Sequence, residues 1–327
     1  MNRQDRILAG IALMLGFCII APLIDVASKL AAQEVAVGTV TLGRFVVQAA
    51  LMAPVLALMG LSFGLPRNRR ALALSVARAA FSILATFCFV AAVQVMPIAD
   101  ALAIAFVEPF VILLIGRFVM REEVGPRRLG AAVVGFIGAL FVIQPSFATF
   151  GVVALFPLGT AVTFAAYMLV TRALSNYVHP VQMQFQTALI AAVLCVPLLG
   201  LGGALGMDEL RFDLPEGIFW IWVFCVGLAA TISHMAISYA LSFAPSSTLA
   251  PLHYFEMLTA TLFGYLFFED FPDFATWIGI AIITGSGLYI IHRERATEAT
   301  ARRARHADAA SEAARAPIRS GSGAAGR

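Results

Sequence analysis

The sequence MPIADALAIAFVEPFVILLIGRFVMRE, from Met96 to Glu122, is repeated in outline by APSSTLAPLHYFEMLTATLFGYLFFED, from Ala244 to Asp270. The matching positions keep a constant offset of 148 residues: Pro97 and Pro245, Glu108 and Glu256, Gly116 and Gly264, and Glu122 and Asp270. Because one offset fits proline, acidic and glycine positions together, we interpret the chain as one helical module present twice.

The chain outside this repeat is also strongly apolar. Of its 327 residues, 61% are hydrophobic and 13% are charged, and the mean hydropathy is +0.89. A soluble domain carries roughly 25% charged residues, so much of this surface must face lipid rather than water. The composition therefore predicts an integral membrane protein.

Ten stretches are long enough to cross a hydrocarbon core of about 30 Å, which requires about 20 apolar residues in a helix. They are residues 7–30, 37–60, 72–94, 98–119, 126–144, 149–173, 181–202, 216–241, 246–268 and 273–292. Turn signals separate them, among them Gly125-Pro126, Gln144-Pro145 and Ala244-Pro245. Because backbone groups within lipid have no water to bond, we expect every span to be an α-helix.

Basic residues are concentrated on alternate connections between these spans. On one side are Arg3, Arg6, Arg67, Arg69, Arg70, Arg121, Arg127 and Arg128. The opposite connections are acidic, with Glu34, Asp208, Glu209, Asp213, Glu216 and Asp273. The positive-inside rule then predicts that both termini are cytoplasmic.

The two halves must have opposite orientations, because each contains five spans, an odd number. Residues 1–145 are predicted to form the first five-helix repeat and residues 146–292 the second, inverted one. Residues 293–327 are predicted to be a basic cytoplasmic tail, either disordered or a solvated helix. The predicted fold class is an all-α polytopic membrane protein with ten transmembrane helices in two inverted repeats. Such repeats are typical of transporters whose halves rock about a shared site near the midplane.

The chain resembles the drug/metabolite transporter superfamily, specifically its ten-helix EamA-like branch. The resemblance is carried by Phe106-Val107-Glu108-Pro109 with its second copy Tyr254-Phe255-Glu256, by the runs 116–122 and 264–270, and by Lys29 and Arg44-Phe45. The second copy departs from the first in having Met257 where the first has Pro109. The resemblance covers about residues 7 to 292. It implies that helices 1–4 and 6–9 line the transport path, while helices 5 and 10 pack at the periphery or form contacts in a homodimer.

Two acidic residues, Glu108 and Glu256, fall near the middle of predicted spans. A charge at the bilayer centre costs at least about 2.5–3.5 kcal/mol, so such a side chain faces a partner, the bundle interior or water. We expect both to reach the central cavity, where they bind a proton or an amine-bearing ligand. The alternative is that each only bonds a neighbouring helix. Pro109 removes a backbone donor next to Glu108, which predicts a hinge or exposed carbonyls at this point.

The ninth predicted span has the richest polar side. His253 and Tyr254 precede Glu256, and His253 lies three residues before it, on a neighbouring face of the same helix. Histidine titrates near neutral pH and can transfer a proton. His253, Tyr254 and, on the eighth span, His234 are therefore candidates for contact with a substrate or a proton. For the histidines, hydrogen bonding between helices is the alternative.

Asp25 and Lys29 are four residues apart with the acid first, the favourable order for an ion pair on one helix face. Near the outer end of the first span they are predicted to form a gate that exchanges partners, or else a permanent ion pair. Arg44 lies about two turns into the second span, and we expect it to contact an anionic group of the substrate or to extend towards the interface.

Three further polar residues lie within spans. Tyr167 and Gln184 are candidate substrate contacts, and Tyr167 is predicted to share a helix face with Thr171, four residues later. Arg78 lies close to the cytoplasmic end of the third span. We expect its side chain to extend towards the membrane interface, so that its charge is solvated there.

Other functional classes are disfavoured by the sequence. We find neither a catalytic constellation of the His-Glu-x-x-His type nor a glycine-rich phosphate loop, so an intramembrane enzyme and a primary pump are not expected. Cys18, Cys88, Cys195 and Cys225 lie in apolar spans without metal-ligand spacing. We predict no cofactor, no metal and no nucleic-acid partner. The expected partners are a small-molecule substrate and membrane lipids.

The predicted function is a secondary transporter of a small organic metabolite in the bacterial inner membrane, working by alternating access. Acids, a base, histidines and a tyrosine in one cavity fit a zwitterion such as an amino acid, and export is favoured, with proton coupling as an option. The alternative is an uptake permease for a vitamin, a nucleoside-like compound or an amine. An intramembrane enzyme or a scaffold is less favoured.

Overall fold

The structure is a computed structural model that describes residues 3–118, 126–249, 252–253, 255–270, 274, 277–282, 284–286 and 288–289. Within these residues the chain is helical and contains no β-strand. The long helices are α1 (Arg3–Ala31), α2 (Val37–Leu58), α3 (Arg69–Val93), α6 (Pro126–Phe150), α7 (Leu155–Leu174), α8 (Pro180–Ala204) and α9 (Phe219–Phe243). The shorter ones are α4 (Ile98–Ala105), α5 (Glu108–Phe118), α10 (Ser246–Leu249) and α11 (Phe255–Phe268).

Six helical segments are long and apolar enough to cross a membrane. They are Arg6–Ala31, Val37–Leu58, Arg69–Val93, Phe147–Leu174, Pro180–Ala204 and Phe219–Phe243. Large apolar side chains on their outward faces are exposed, among them Leu58, Val193 and Leu201. Extensive exposed apolar surface marks contact with lipid or with another protein. Together with the span lengths, it identifies an all-helical polytopic membrane protein.

The predicted turn at Gln144-Pro145 was wrong. Helix α6 continues through this dipeptide to Phe150, and the chain turns at Gly151, where φ is +60°. A left-handed backbone costs glycine little because it has no Cβ. A proline within a membrane helix is tolerated because neighbouring groups satisfy the freed carbonyl. Glycine rather than proline therefore ends this helix.

Two of the predicted spans are interrupted in the middle. The span 98–119 consists of α4 and α5, which are separated at Phe106 and Val107, directly before Glu108 and Pro109. Pro109 lacks the backbone N–H that would continue the helical hydrogen bonds, and the helix breaks at this point as the sequence predicted. In the span 246–268 the described residues form α10, a 3-10 turn at 252–253, and α11.

The helices of the first half pack mainly against helices of the second half. Helix α1 lies along α9 and α11, α2 lies against α8 and α9, and α3 lies against α7 and α8. Gly227 on α9 allows α2 to approach closely, since a Cβ at this position would be 2.4 Å from Val47 Cβ and 3.1 Å from the carbonyl oxygen of Arg44. The two halves therefore interlock, and a cavity between them is bounded by both.

Candidate functional site

The cavity at the centre of the bundle is bounded by α1, α2, α3, α4, α7, α9 and the first turns of α5 and α11. It contains about 740 Å³ not occupied by protein atoms, part of it open to the surroundings. Its lining on α1 runs from Phe17 to Ser28 and on α3 from Ser82 to Val90, towards the end of each helix. The cavity thus extends from the middle of the bundle to the side that carries connections 32–36 and 94–97, which we call the cavity side. The opposite side is called the closed side.

Glu108 and Glu256 meet at a single histidine in the wall of this cavity. The Nδ1 atom of His253 lies 3.1 Å from Glu108 Oε2, and its Nε2 atom lies 2.6 Å from Glu256 Oε2. All three side chains are buried. The two carboxyls occupy equivalent positions of the repeat, whereas the counterpart of His253 at the same offset is Ala105. One asymmetric histidine therefore joins the two symmetric acids.

The broken helices explain why both carboxyls reach this point. Glu108 is the first residue of α5, and Glu256 is the second residue of α11. The N-terminus of a helix carries a partial positive charge, which stabilises a nearby carboxylate. Half-helices that begin near the midplane are typical of sites in membrane transporters, because their free backbone groups and dipoles face the ligand.

Four aromatic side chains, those of Phe17, Phe164, His234 and His253, line the cavity and pack against one another. Phe17 and Phe164 are stacked with centroids 6.3 Å apart. His253 lies 5.3 Å from Phe17 and 5.7 Å from Phe164, and His234 lies 6.2 Å and 6.1 Å from the same two rings. Phe106 meets His253 edge to face at 5.7 Å. We call Phe17, Phe164, His234 and His253 the ring platform.

Arg44 lies beside the ring platform, at the His234 end. Its guanidinium donates to Thr86 Oγ1 and contacts His234 Nε2, and the side chain is 5% exposed. Its Nε atom has no hydrogen-bond partner among the described residues. Arg44 therefore lies within the bundle rather than extending to the interface, and it retains one donor for a ligand.

The predicted ion pair between Asp25 and Lys29 is absent among the described residues. Lys29 Nζ lies instead 2.9 Å from Asp270 Oδ2, and it lies 4.6 Å from the centre of the Phe268 ring. Asp25 lines the cavity, and its Oδ2 atom has no hydrogen-bond partner in the described part of the chain. The spacing of Asp25 and Lys29 on one helix could not show that Lys29 pairs instead with a carboxylate of the second half.

The interpretation of Arg78 as a side chain extending to the interface was wrong. Arg78 is 0% exposed, lies on the closed side of the cavity and contacts three helices of the second half. It donates to Tyr167 Oη at 2.5 Å, Thr171 Oγ1 at 2.7 Å, Gln184 Oε1 at 3.1 Å, Ser238 Oγ at 2.9 Å, the Met183 carbonyl at 3.4 Å and Thr187 Oγ1. We call these residues the arginine cage.

Tyr167 and Gln184 therefore bind Arg78 in this conformation and do not line the cavity. Tyr167 and Thr171 do share one helix face, as their spacing predicted. The sequence did contain an indication of the arginine cage. Threonine, glutamine and serine side chains within three other apolar spans each need a hydrogen-bond partner. The sequence could not show that one arginine supplies it.

The remaining predicted site residue, Tyr254, lies outside the described residues. Among the residues that the structure does describe, no group of three or more His, Cys, Asp or Glu side chains is arranged to hold a metal ion.

Interlocked halves, discontinuous helices and ionisable groups around a central cavity define a membrane transporter. A sequence model of the EamA-like transporter family matches residues 8–144 and again residues 150–292. The chain belongs to the EamA-like transporter family of the drug/metabolite transporter superfamily. The resemblance drawn from the sequence is thereby confirmed, and the protein is a transporter rather than an enzyme.

Several bacterial transporters are similar to this chain. A riboflavin transporter of Brucella anthropi is 28% identical over 232 residues, covering 70% of this chain and 79% of the relative. A riboflavin transporter of Rhizobium johnstonii is 28% identical over 221 residues, covering 68% and 70%. An S-adenosylmethionine uptake transporter of Rickettsia felis is 24% identical over 201 residues, covering 62% and 65%.

A solved crystal structure has the same fold. It superposes with a TM-score of 0.67 at 20% identity, and the match covers 91% of this chain and 100% of the other. At this identity the likeness concerns the fold and carries no information on substrate.

Proposed function

We propose that this transporter takes up a planar heterocyclic metabolite, of the vitamin or nucleoside-like class, by alternating access and together with protons. The observation that carries the proposal is the convergence of Glu108 and Glu256 on His253 within an aromatic-lined cavity. One carboxyl comes from each half of the repeat, so a rocking motion of the halves changes the surroundings of both.

The ring platform supports a flat aromatic substrate over an amino acid. Phe17, Phe164 and Phe106 line the cavity together with the two histidines. Aromatic pairs contribute about 0.5–1.5 kcal/mol beyond the burial of apolar area, so a heterocycle gains from several rings at once. A small zwitterion gains little from these rings.

The relatives support the same class. Two are riboflavin transporters and one is an S-adenosylmethionine uptake transporter. Riboflavin and S-adenosylmethionine both contain a fused-ring heterocycle with polar groups at its edges. The relatives therefore favour uptake of a vitamin or nucleoside-like compound over the amino-acid export that the sequence alone favoured.

Proton co-transport is proposed to depend on the acidic pair and its histidine. Each nitrogen of His253 contacts a different carboxylate, so a proton can be held on either side of the ring. The other ionisable groups lining the cavity are Asp25, Arg44 and His234. A change in the distance between the halves alters the balance among these charges, which couples protonation to the transport cycle.

The topology proposed is that of ten spans in two inverted repeats, residues 1–145 and 146–292, with both termini cytoplasmic and the cavity side facing the periplasm of a bacterial inner membrane. Arg67 in connection 59–68 and Arg69 and Arg70 in the first turn of α3 lie on the closed side, which supports this orientation. In a variant without the four native cysteines, Asp270→Cys should react with a membrane-impermeant maleimide added to intact cells. Reaction only after lysis would reverse the proposed orientation.

Lys29 and Asp270 are proposed to form the outer gate. Their contact joins the end of α1 to the end of α11 on the cavity side, and its two side chains are 19% and 28% exposed. A partly exposed ion pair stabilises a structure by at most about 1 kcal/mol. Such a weak contact can break in every transport cycle. In the same labelling assay, Lys29→Ala should increase the rate at which a cysteine replacing Ser28 reacts. An unchanged rate contradicts a gating role.

Uptake by the purified protein in proteoliposomes tests the proposed function. With an inward proton gradient, labelled riboflavin or S-adenosylmethionine is expected to accumulate faster than in empty liposomes, and excess leucine is not expected to compete. Collapse of the gradient should slow the uptake. Competition by leucine, or accumulation of leucine in place of the heterocycles, would contradict the proposed substrate class.

A further inference from the structure

The cavity has two chemically different ends, and the ring platform lies between them. Arg44 contacts His234 at one end, and Glu108 and Glu256 contact His253 at the other. Each histidine is packed against both Phe17 and Phe164, while the two histidines make no ring contact with each other among the described residues. The guanidinium and the acidic pair therefore contact different histidines of the ring platform.

Each end retains an unsatisfied polar atom in a nearly dry site. Arg44 Nε has no hydrogen-bond partner among the described residues, and the same holds for Glu108 Oε1. The two side chains are 5% and 4% exposed. A buried donor or acceptor without a partner is costly, so a ligand that supplies both partners gains free energy at both ends.

The charges lining the cavity are unequal in number. Three carboxyls, of Asp25, Glu108 and Glu256, face one guanidinium, that of Arg44. A proton on His253 offsets only one of the acids. The buried lining therefore carries excess negative charge whenever its carboxyls are ionised, and charges interact strongly in such a low-dielectric environment.

We propose that this cavity selects its substrate by charge and by polarity at two ends. It binds a neutral or cationic heterocycle, stacked on the ring platform, with a hydrogen-bond acceptor directed to Arg44 and a donor or cationic group directed to Glu108. It rejects anionic compounds, including phosphate esters of the same heterocycle. This inference rests on the proposed function, to which it adds the charge of the substrate.

Three bicyclic probes that differ in charge test the selection without relying on transport. They are quinoline, the N-methylquinolinium cation and quinoline-6-carboxylate, added to the purified protein in nanodiscs while its thermal unfolding is followed. The cation is expected to bind at least about ten-fold more tightly than the carboxylate, a factor that corresponds to about 1.4 kcal/mol. Equal or tighter binding of the carboxylate overturns the proposal. A lack of binding by all three probes also overturns it, because the ring platform is then not a binding surface.

Substitutions locate the effect. Glu256→Gln should reduce the ratio between cation and carboxylate affinity, whereas Glu216→Gln, at an exposed carboxylate in connection 205–218, should leave it unchanged. If Glu256→Gln does not fold, Asp25→Asn makes the same test from α1. An unchanged ratio in the folded variant places the selection elsewhere and contradicts the proposal.

Flavin binding measured in nanodiscs and flavin transport measured in proteoliposomes distinguish failure of this inference from failure of the proposed function. Riboflavin and riboflavin 5′-phosphate share one ring system and differ by a phosphate. If riboflavin is transported and its phosphate ester binds equally well, the charge selection is wrong and the substrate class stands. If neither riboflavin nor S-adenosylmethionine is transported but the quinolinium cation binds selectively, the proposed substrate class is wrong and the charge selection stands.

Discussion

In the variant Arg78→Met the protein is expected to unfold at a lower temperature, while Arg44→Met is expected to unfold close to the wild-type temperature. Both arginines are buried, but their surroundings differ. Arg78 is held by the arginine cage, whose members lie on α7, α8 and α9. Arg44 makes polar contacts with Thr86 and His234 and lies over the ring of Phe45.

Two opposing effects decide the sign at Arg78. Removing the charge relieves a desolvation cost of several kcal/mol. It also leaves Tyr167, Gln184 and Ser238 buried without their donor, at about 1–3 kcal/mol each. Average side-chain hydrogen bonds between membrane helices contribute only about 0.6 kcal/mol, but this guanidinium makes several at once and holds three helices in register. We therefore expect a net destabilisation of a few kcal/mol.

Thermal unfolding in detergent measures this difference, with transport as a second measurement. Arg78→Lys should recover part of the stability, since a lysine ammonium has three donors where the guanidinium has five. Arg44→Met should instead lose transport while retaining the fold, because it removes one end of the cavity. Equal stability of wild type and Arg78→Met would show that the cage contributes no net stability.

The second large effect is expected at the acidic pair. Glu108→Gln and Glu256→Gln keep the size of the side chain and remove its charge. Either variant should reduce uptake at least about ten-fold, equivalent to about 1.4 kcal/mol in the transport barrier. Wild-type uptake should rise as the external pH falls, because protons enter together with the substrate. This dependence should be lost in both variants, since His253 then contacts only one carboxylate.

The control is Glu216→Gln, which removes a carboxylate from the exposed connection 205–218 and should leave the rate and its pH dependence unchanged. Purification yield and thermal unfolding establish that the acidic-pair variants are folded. Wild-type pH dependence in folded Glu256→Gln would falsify the proposed role of this residue in proton co-transport. A loss of function in only one of the two variants would show that the symmetric positions have separate roles.

The membrane class and the family could be predicted because they depend on local properties of the chain. Continuous apolar runs determine the spans, since each must satisfy its own backbone groups in lipid. The constant offset between Glu108 and Glu256 placed both near the middle of a span, and inverted halves bring such residues to a common centre. Pro109 also indicated the break before α5, because the lack of a backbone N–H acts within one turn.

Only the tertiary structure decided which polar groups contact each other. A membrane helix has neighbours on several faces, so sequence spacing shows which residues share a face but not which helix that face meets. Lys29 therefore contacts Asp270 rather than Asp25, and Tyr167 and Gln184 serve Arg78 rather than the cavity. The ring platform likewise joins α1, α7, α9 and the turn at 252–253, which no local pattern connects. The sequence by itself determined the helices and their duplication, and the packing of the halves determined the site.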